Sequence, residues 1–202
     1  MTYREALKNL SGDTEARVLA VYAALEAGDI APEAAAAVIA ALVTKGNARA
    51  VGLADVALAA NLTVALRRPV ATLGLSLPIG EPKRLHKAAS TLLGIDGITP
   101  ERVARLGRVE PLETGQRAYA DGVARSGVVT GWVRNMDGDP CQLCKWWSRD
   151  GRVWPADHPF QHHKGCSCTQ TIVHVERIQE TAAGRRERYA REAAANTRRY
   201  NP

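Results

Sequence analysis

Four cysteines, the chain's full complement, fall between Cys141 and Cys168, together with His158, His162 and His163. Thiolate and imidazole are side-chain donors well suited to a transition metal, and their spacing fits one ion. Cys141-x-x-Cys144 is the first half of a zinc knuckle, in which a tight turn brings two thiolates together. His163-x-x-Cys166-x-Cys168 then offers three donors where two are needed. If Cys166 and Cys168 lie in a strand, their side chains share a face and both reach the metal. Alternatively, His163 and Cys166 complete the tetrahedron and Cys168 is a bystander. Spacing leaves both sets open, so the candidate ligands are Cys141, Cys144, His163, Cys166 and Cys168. Either four-ligand set is closed, and a closed zinc site is structural rather than catalytic.

Three other chemistries compete for these residues. A pair of disulfides would suit a secreted chain, but the N-terminus Met1-Thr2-Tyr3-Arg4-Glu5 lacks a signal-peptide layout and synthesis in a cytosol is expected. A redox Cys-x-x-Cys needs a thioredoxin-like strand–helix setting, which Lys145-Trp146-Trp147 does not supply. A catalytic metal built on His158, His162 or His163 would need an open coordination position and a general base. Structural zinc is the expectation.

The surrounding residues fit a small module built on an ion. All four tryptophans (Trp132, Trp146, Trp147, Trp154) and the single phenylalanine, Phe160, lie in this region. A short segment buries little surface, so large side chains and a metal must stabilise it. Zinc in such modules contributes roughly 10–16 kcal/mol at neutral pH. Packing around the knuckle therefore accounts for the tryptophans better than a platform for stacking bases.

The elements that position the cluster follow from the rest of the chain. Its 202 residues are 46% hydrophobic but only 5% aromatic, and alanine is abundant. This composition predicts a mainly α fold whose helices approach closely through small side chains. The net charge of +6 and pI near 9.4 favour an anionic neighbour, nucleic acid or an acidic protein surface. No membrane span is expected, because the apolar run Ala34–Val43 is about half the roughly 20 residues required.

Residues 1–68 read as an N-terminal helical region. A helix within 3–27 has Asp13 as N-cap after a short first turn, and a second runs from Pro32 to Arg68 with a break near Gly46-Asn47 or Gly52. Residues 69–82, with three prolines and two glycines, read as a linker or an extended segment crossing another subunit. Residues 83–126 form a second helical region: a helix over Pro82–Leu93, a short one from Thr99-Pro100-Glu101 to about Leu106, and another over Leu112–Arg125. Residues 127–175 form the metal module, with strands at Val128–Arg134 and Cys168–Val175 flanking a long loop. The expected architecture is an alanine-rich helical body bearing a zinc-stapled antiparallel β-hairpin.

Residues 176–202 form a basic arm with seven arginines against four glutamates. Arg185, Arg186, Arg188, Arg191, Arg198 and Arg199 are its candidate contacts to DNA or a partner subunit. Its apolar face (Ile178, Ala182, Tyr189, Ala193) is thin, so it reads equally as a solvated terminal helix.

Taken in order, Gly131-Trp132-Val133-Arg134, Cys141-x-x-Cys144, Asp150-Gly151, His163-x-x-Cys166-x-Cys168 and Thr171-Ile172-Val173 resemble the C-terminal signature of phage head morphogenesis proteins. These are the Mu F-like minor capsid proteins, particularly the forms in phages of actinobacteria. Thr171-Ile172-Val173 stands where the family usually has a Pro-Val-like end, and His163, not His162, has the family's spacing. Upstream the likeness is one of layout only.

The resemblance implies a structural component of the virion head interior, made in the host cytoplasm. It further implies association with portal or major capsid protein, proximity to packaged double-stranded DNA, and no small-molecule substrate. Some members carry a fused protease or ADP-ribosyltransferase, for which this chain leaves no room after residue 175. The helical part offers no Ser/His/Asp or paired-carboxylate arrangement, so an enzyme is not expected. Two rivals remain. A His-Asn-His nuclease would draw on His158, His162, His163 and His174, but the chain after Cys168 lacks that motif's metal-binding helix. A zinc-containing DNA-binding regulator would need a reading helix after the cysteines, where a strand is expected.

Overall fold

The computed structural model describes residues 1–174, as four long helices followed by a small sheet. Helix α1 (Tyr3–Glu26) begins at a capping box: the Thr2 hydroxyl accepts from the Glu5 N–H, and the Glu5 carboxylate accepts from the Thr2 N–H. Asp13 is therefore interior and not the N-cap expected from the sequence. Leu7 and Leu10 carry the apolar face through that point, and the Ser11 hydroxyl donates to the Arg108 carbonyl on a neighbouring helix.

Helix α2 (Pro32–Leu66) is continuous through Gly46, Asn47 and Gly52. Those residues are used for packing. A side chain on Gly46 would meet Thr14 at 2.8 Å and Pro111 at 3.1 Å, so the absence of a Cβ permits close contact. Asn47, wholly buried, donates to Glu81 at 2.9 Å and ties α2 to the next helix. By length and composition α2 could cross a membrane. In the fold, its buried face packs against α1, α3 and α4 and includes Asn47 and Asp55.

Residues 67–80 do not lead away from the body. The segment is extended and crosses α2 and α4 of its own chain, with Leu73, Leu75 and Leu77 partly buried against the core. Asp55, 6% exposed, accepts from the Leu73 N–H at 2.7 Å and the Leu75 N–H at 2.9 Å. Extended backbone cannot satisfy its own N–H groups, and the carboxylate supplies two of the missing acceptors.

Helix α3 (Glu81–Leu93) is followed by α4 (Pro100–Arg125), a single helix where the sequence suggested two. Pro111 removes a backbone hydrogen bond and strains the preceding turn, at a cost of about 3 kcal/mol in a helix interior. Packing on both sides of it outweighs that cost: Val103, Val109, Leu112, Tyr119 and Val123 are all buried. Gly107 lets α4 approach α1 so closely that a Cβ would lie 2.9 Å from the Glu15 Cα.

The sheet follows. Strand β1 (Val129–Asn135) is central, with β2 (Trp154–Pro155) on one side and β3 (Thr169–His174) on the other, both antiparallel. The expected hairpin thus gains a short third strand, and a one-turn-plus helix α5 (Gln142–Ser148) replaces part of the expected loop. Trp132 on β1, 2% exposed, meets Phe160 edge-on at 5.4 Å and shares a cluster with Leu58 of α2 and Tyr119 of α4. The sheet is therefore seated on the helical body through a common core.

Candidate metal centre

The first pair of donors is set by α5. Cys141 is its N-cap residue and accepts from the Lys145 N–H through its carbonyl, so Cys141-x-x-Cys144 spans the first helical turn. That turn places Cys144 inward, 2% exposed, and leaves Cys141 at the surface. The second group comes from the loop entering β3. Cys166 N–H donates to the His163 carbonyl at 3.0 Å, closing a tight turn over Gly165, whose φ of 81° suits glycine. Cys166 and Cys168 precede β3 and do not lie in it, yet both are buried.

These two pieces bring all five sequence-nominated donors together. Cys141 Sγ lies 3.0 Å from His163 Nε2, Cys144 Sγ lies 3.4 Å from the same nitrogen, and Cys144 Sγ lies 3.5 Å from Cys166 Sγ. The donors form two overlapping groups, Cys141–Cys144–His163 and Cys144–Cys166–Cys168, each with its donor atoms within 4.8 Å of one another. Cys144 belongs to both. Metal–sulfur bonds of about 2.3 Å and metal–nitrogen bonds of about 2.0 Å place tetrahedral donors roughly 3.5–3.8 Å apart. The cluster's short distances are of that order, so it could hold a metal ion.

Electrostatics around the sulfurs point the same way. Arg134, 5% exposed, directs one nitrogen at Cys144 Sγ, 3.9 Å away, and donates through another to the Gln161 carbonyl. Its guanidinium also covers Phe160 at 4.4 Å and faces Trp147 at 5.3 Å. Among the described residues no carboxylate pairs with it. A buried cation requires compensating negative charge, and thiolates are the nearest source. Without a metal the charge is unevenly shared. A hydrogen bond from Cys166 and the Asp137 N–H hold the Cys168 thiol down at about 5. Burial pushes Cys144 up to about 12, and Cys166 is raised chiefly by its hydrogen bond to Cys168.

The scaffold reaches the cluster through a residue the sequence reading did not single out. Gln116 of α4, 2% exposed, donates from one Nε2 to the carbonyls of Cys166, at 2.7 Å, and Cys168, at 2.9 Å. Lys164, in the same loop, pairs with Glu113 of α4 at 2.9 Å. Ser167 donates to Asp137 at 2.7 Å, joining the β3 loop to the end of β1. No local signal marks Gln116, because its partners lie about fifty residues away in sequence.

The other histidines stay apart. His158 stacks on Trp154 with ring centres 4.1 Å apart, and its carbonyl accepts from the Trp132 indole. His162 is half-buried and belongs to neither donor group. Three tryptophans pack as expected, whereas Trp146 is 61% exposed. The arginines of the basic arm, Arg185, Arg186, Arg188, Arg191, Arg198 and Arg199, and the side chain of His174 lie outside what the structure describes. No family of known sequence, curated protein or solved structure matches the chain.

Proposed function

We propose that the chain is a structural minor capsid protein of a tailed phage, a head morphogenesis component of the Mu F-like kind, in which zinc closes the C-terminal module. The observation that carries this reading is the convergence of Cys141, Cys144, His163, Cys166 and Cys168, in the order of the resembled signature, on a helical body. Zinc is the metal proposed because thiolates with imidazole, arranged tetrahedrally, suit it without redox chemistry. With four protein ligands such an ion has no open position. It pins α5 and the β3 loop together, and it is not a centre for turnover.

The helical body then serves assembly. Portal or major capsid protein is the proposed partner, in the head interior, with packaged double-stranded DNA as the neighbour that the positive charge suits. Mass spectrometry of purified, DNA-filled heads from the host infection tests the reading. The chain should co-purify at low copy number with the heads. Its absence from heads, with presence in the infected-cell lysate, would overturn it.

A further inference from the structure

Beside the sheet lies a groove of about 650 Å³ that none of the candidate metal donors lines. One wall is the C-terminal half of α2, presenting Val56, Ala60 and Val64, one helical turn apart. Val56 and Val64 are 60% and 74% exposed. The other wall is β3, and Tyr3 and Arg4 close one end. Strand order puts β3 at the sheet edge, and among the described residues nothing pairs with its outer side. Gln170 of β3 lines the groove at 6% exposure, and neither its amide nitrogen nor its amide oxygen has a hydrogen-bond partner.

We infer that this groove takes an extended peptide strand of a partner protein, added to the free edge of β3 and bearing an acidic residue opposite Arg4. A strand supplies what the groove lacks. Its backbone N–H and C=O groups match the open edge, and the Gln170 amide, closed to solvent in the free chain, gains a donor and an acceptor by turning toward it. Alternate side chains of that strand would turn toward Val56, Ala60 and Val64. A helix satisfies its own backbone and would leave the edge and Gln170 unpaired. Among the described residues, nucleic acid would find an apolar α2 wall and one cationic side chain. That side chain, Arg4, donates to two neutral acceptors, Asn135 Oδ1 at 3.3 Å and the Met136 carbonyl at 2.5 Å, and no described carboxylate is in salt-bridge contact with it. An unpaired edge beside an apolar hollow is also a liability that proteins normally cover.

The inference rests on the groove and does not depend on the capsid reading. The test pans the full chain against a random displayed library of peptides roughly eight residues long, slightly more than a typical strand. Enriched peptides are resynthesised and titrated by fluorescence anisotropy. Enrichment of alternating apolar sequences with an acidic residue at one end is expected. Their affinity should fall about tenfold or more in Ala60→Arg and in Val64→Arg, exposed positions where the fold tolerates a charge. Gln170→Leu should weaken them as well, and bound peptide should slow hydrogen exchange at those N–H groups of residues 169–173 that point away from β1. No enrichment over the Val64→Arg chain, or peptides that bind it equally well, would overturn the inference. So would strong protection, in the free protein, of the N–H groups of residues 169–173 that point away from β1. That result would place the chain's own residues in the groove if protection is independent of concentration, or a second copy if it is not.

Discussion

The Arg134 guanidinium sits 3.9 Å from the Cys144 sulfur with only 5% of the residue exposed, so a buried cation faces the cysteine cluster. Arg134→Met keeps much of the stem and its packing on Phe160 but removes the charge. Outer contacts of this kind typically change metal affinity 10–100-fold when lost, so metal binding should weaken by about that factor. Competition against a chromophoric chelator measures it. Unchanged affinity would mean that the sulfurs do not carry the charge Arg134 answers.

Cys144 is the donor common to both groups, Cys141 lies at the surface, and the five candidate donors exceed by one the four that a tetrahedral ion needs. Cys144→Ser should therefore strip the metal, whereas Cys141→Ser should leave a weakened but occupied site. Metal content after gel filtration checks this. The reverse order would break the proposed geometry.

Proton release gives an independent check. In the metal-free cluster, burial raises Cys144 to about 12, and Cys166 is raised by its hydrogen bond to Cys168, so both hold protons at neutral pH. Cys168, held at about 5, is already ionised there. Metal must displace the protons of the ligands it takes, so binding should strengthen as pH rises and weaken as it falls. Calorimetry in buffers of differing ionisation enthalpy should register proton release at pH 7. Binding with no release would contradict this distribution of charge.

The Asp55 clasp predicts a stability effect remote from the metal. Asp55→Ala leaves the partly buried N–H groups of Leu73 and Leu75 without their acceptor, and charged hydrogen bonds contribute roughly 1.5–3 kcal/mol each. Loss of about 3 kcal/mol in urea unfolding is expected, with Asp55→Asn intermediate because one acceptor survives. Wild-type stability in Asp55→Ala would show that the 67–80 segment is held by its leucines alone.

The candidate metal donors were legible in the sequence because ligand spacing is local chemistry: a helical first turn or a three-residue loop suffices to aim two side chains. The four long helices were legible as helical, but not their lengths, and α5 lies where a loop was expected. Gly46, Asn47 and Pro111 carry local stop signals that contacts from other helices override. Extension of the segment after Arg68 could be read from its prolines and glycines. Its path could not, since Asp55, the residue that fixes it, looks like any polar residue of a long helix. Gln116 was silent for the same reason, and Arg134 stood out only as part of a signature, without its role. Their roles arise only when α4 and β1 meet the loop that carries Cys166 and Cys168.

The most direct measurement is the metal content of the full chain, purified without chelator or affinity metal, before and after treatment with a strong chelator. The account predicts one zinc per chain, and on its removal loss of the near-ultraviolet signal from the tryptophans around Trp132. A metal-free protein whose sheet and tryptophan environment are intact, and which takes up no zinc on titration, would contradict it.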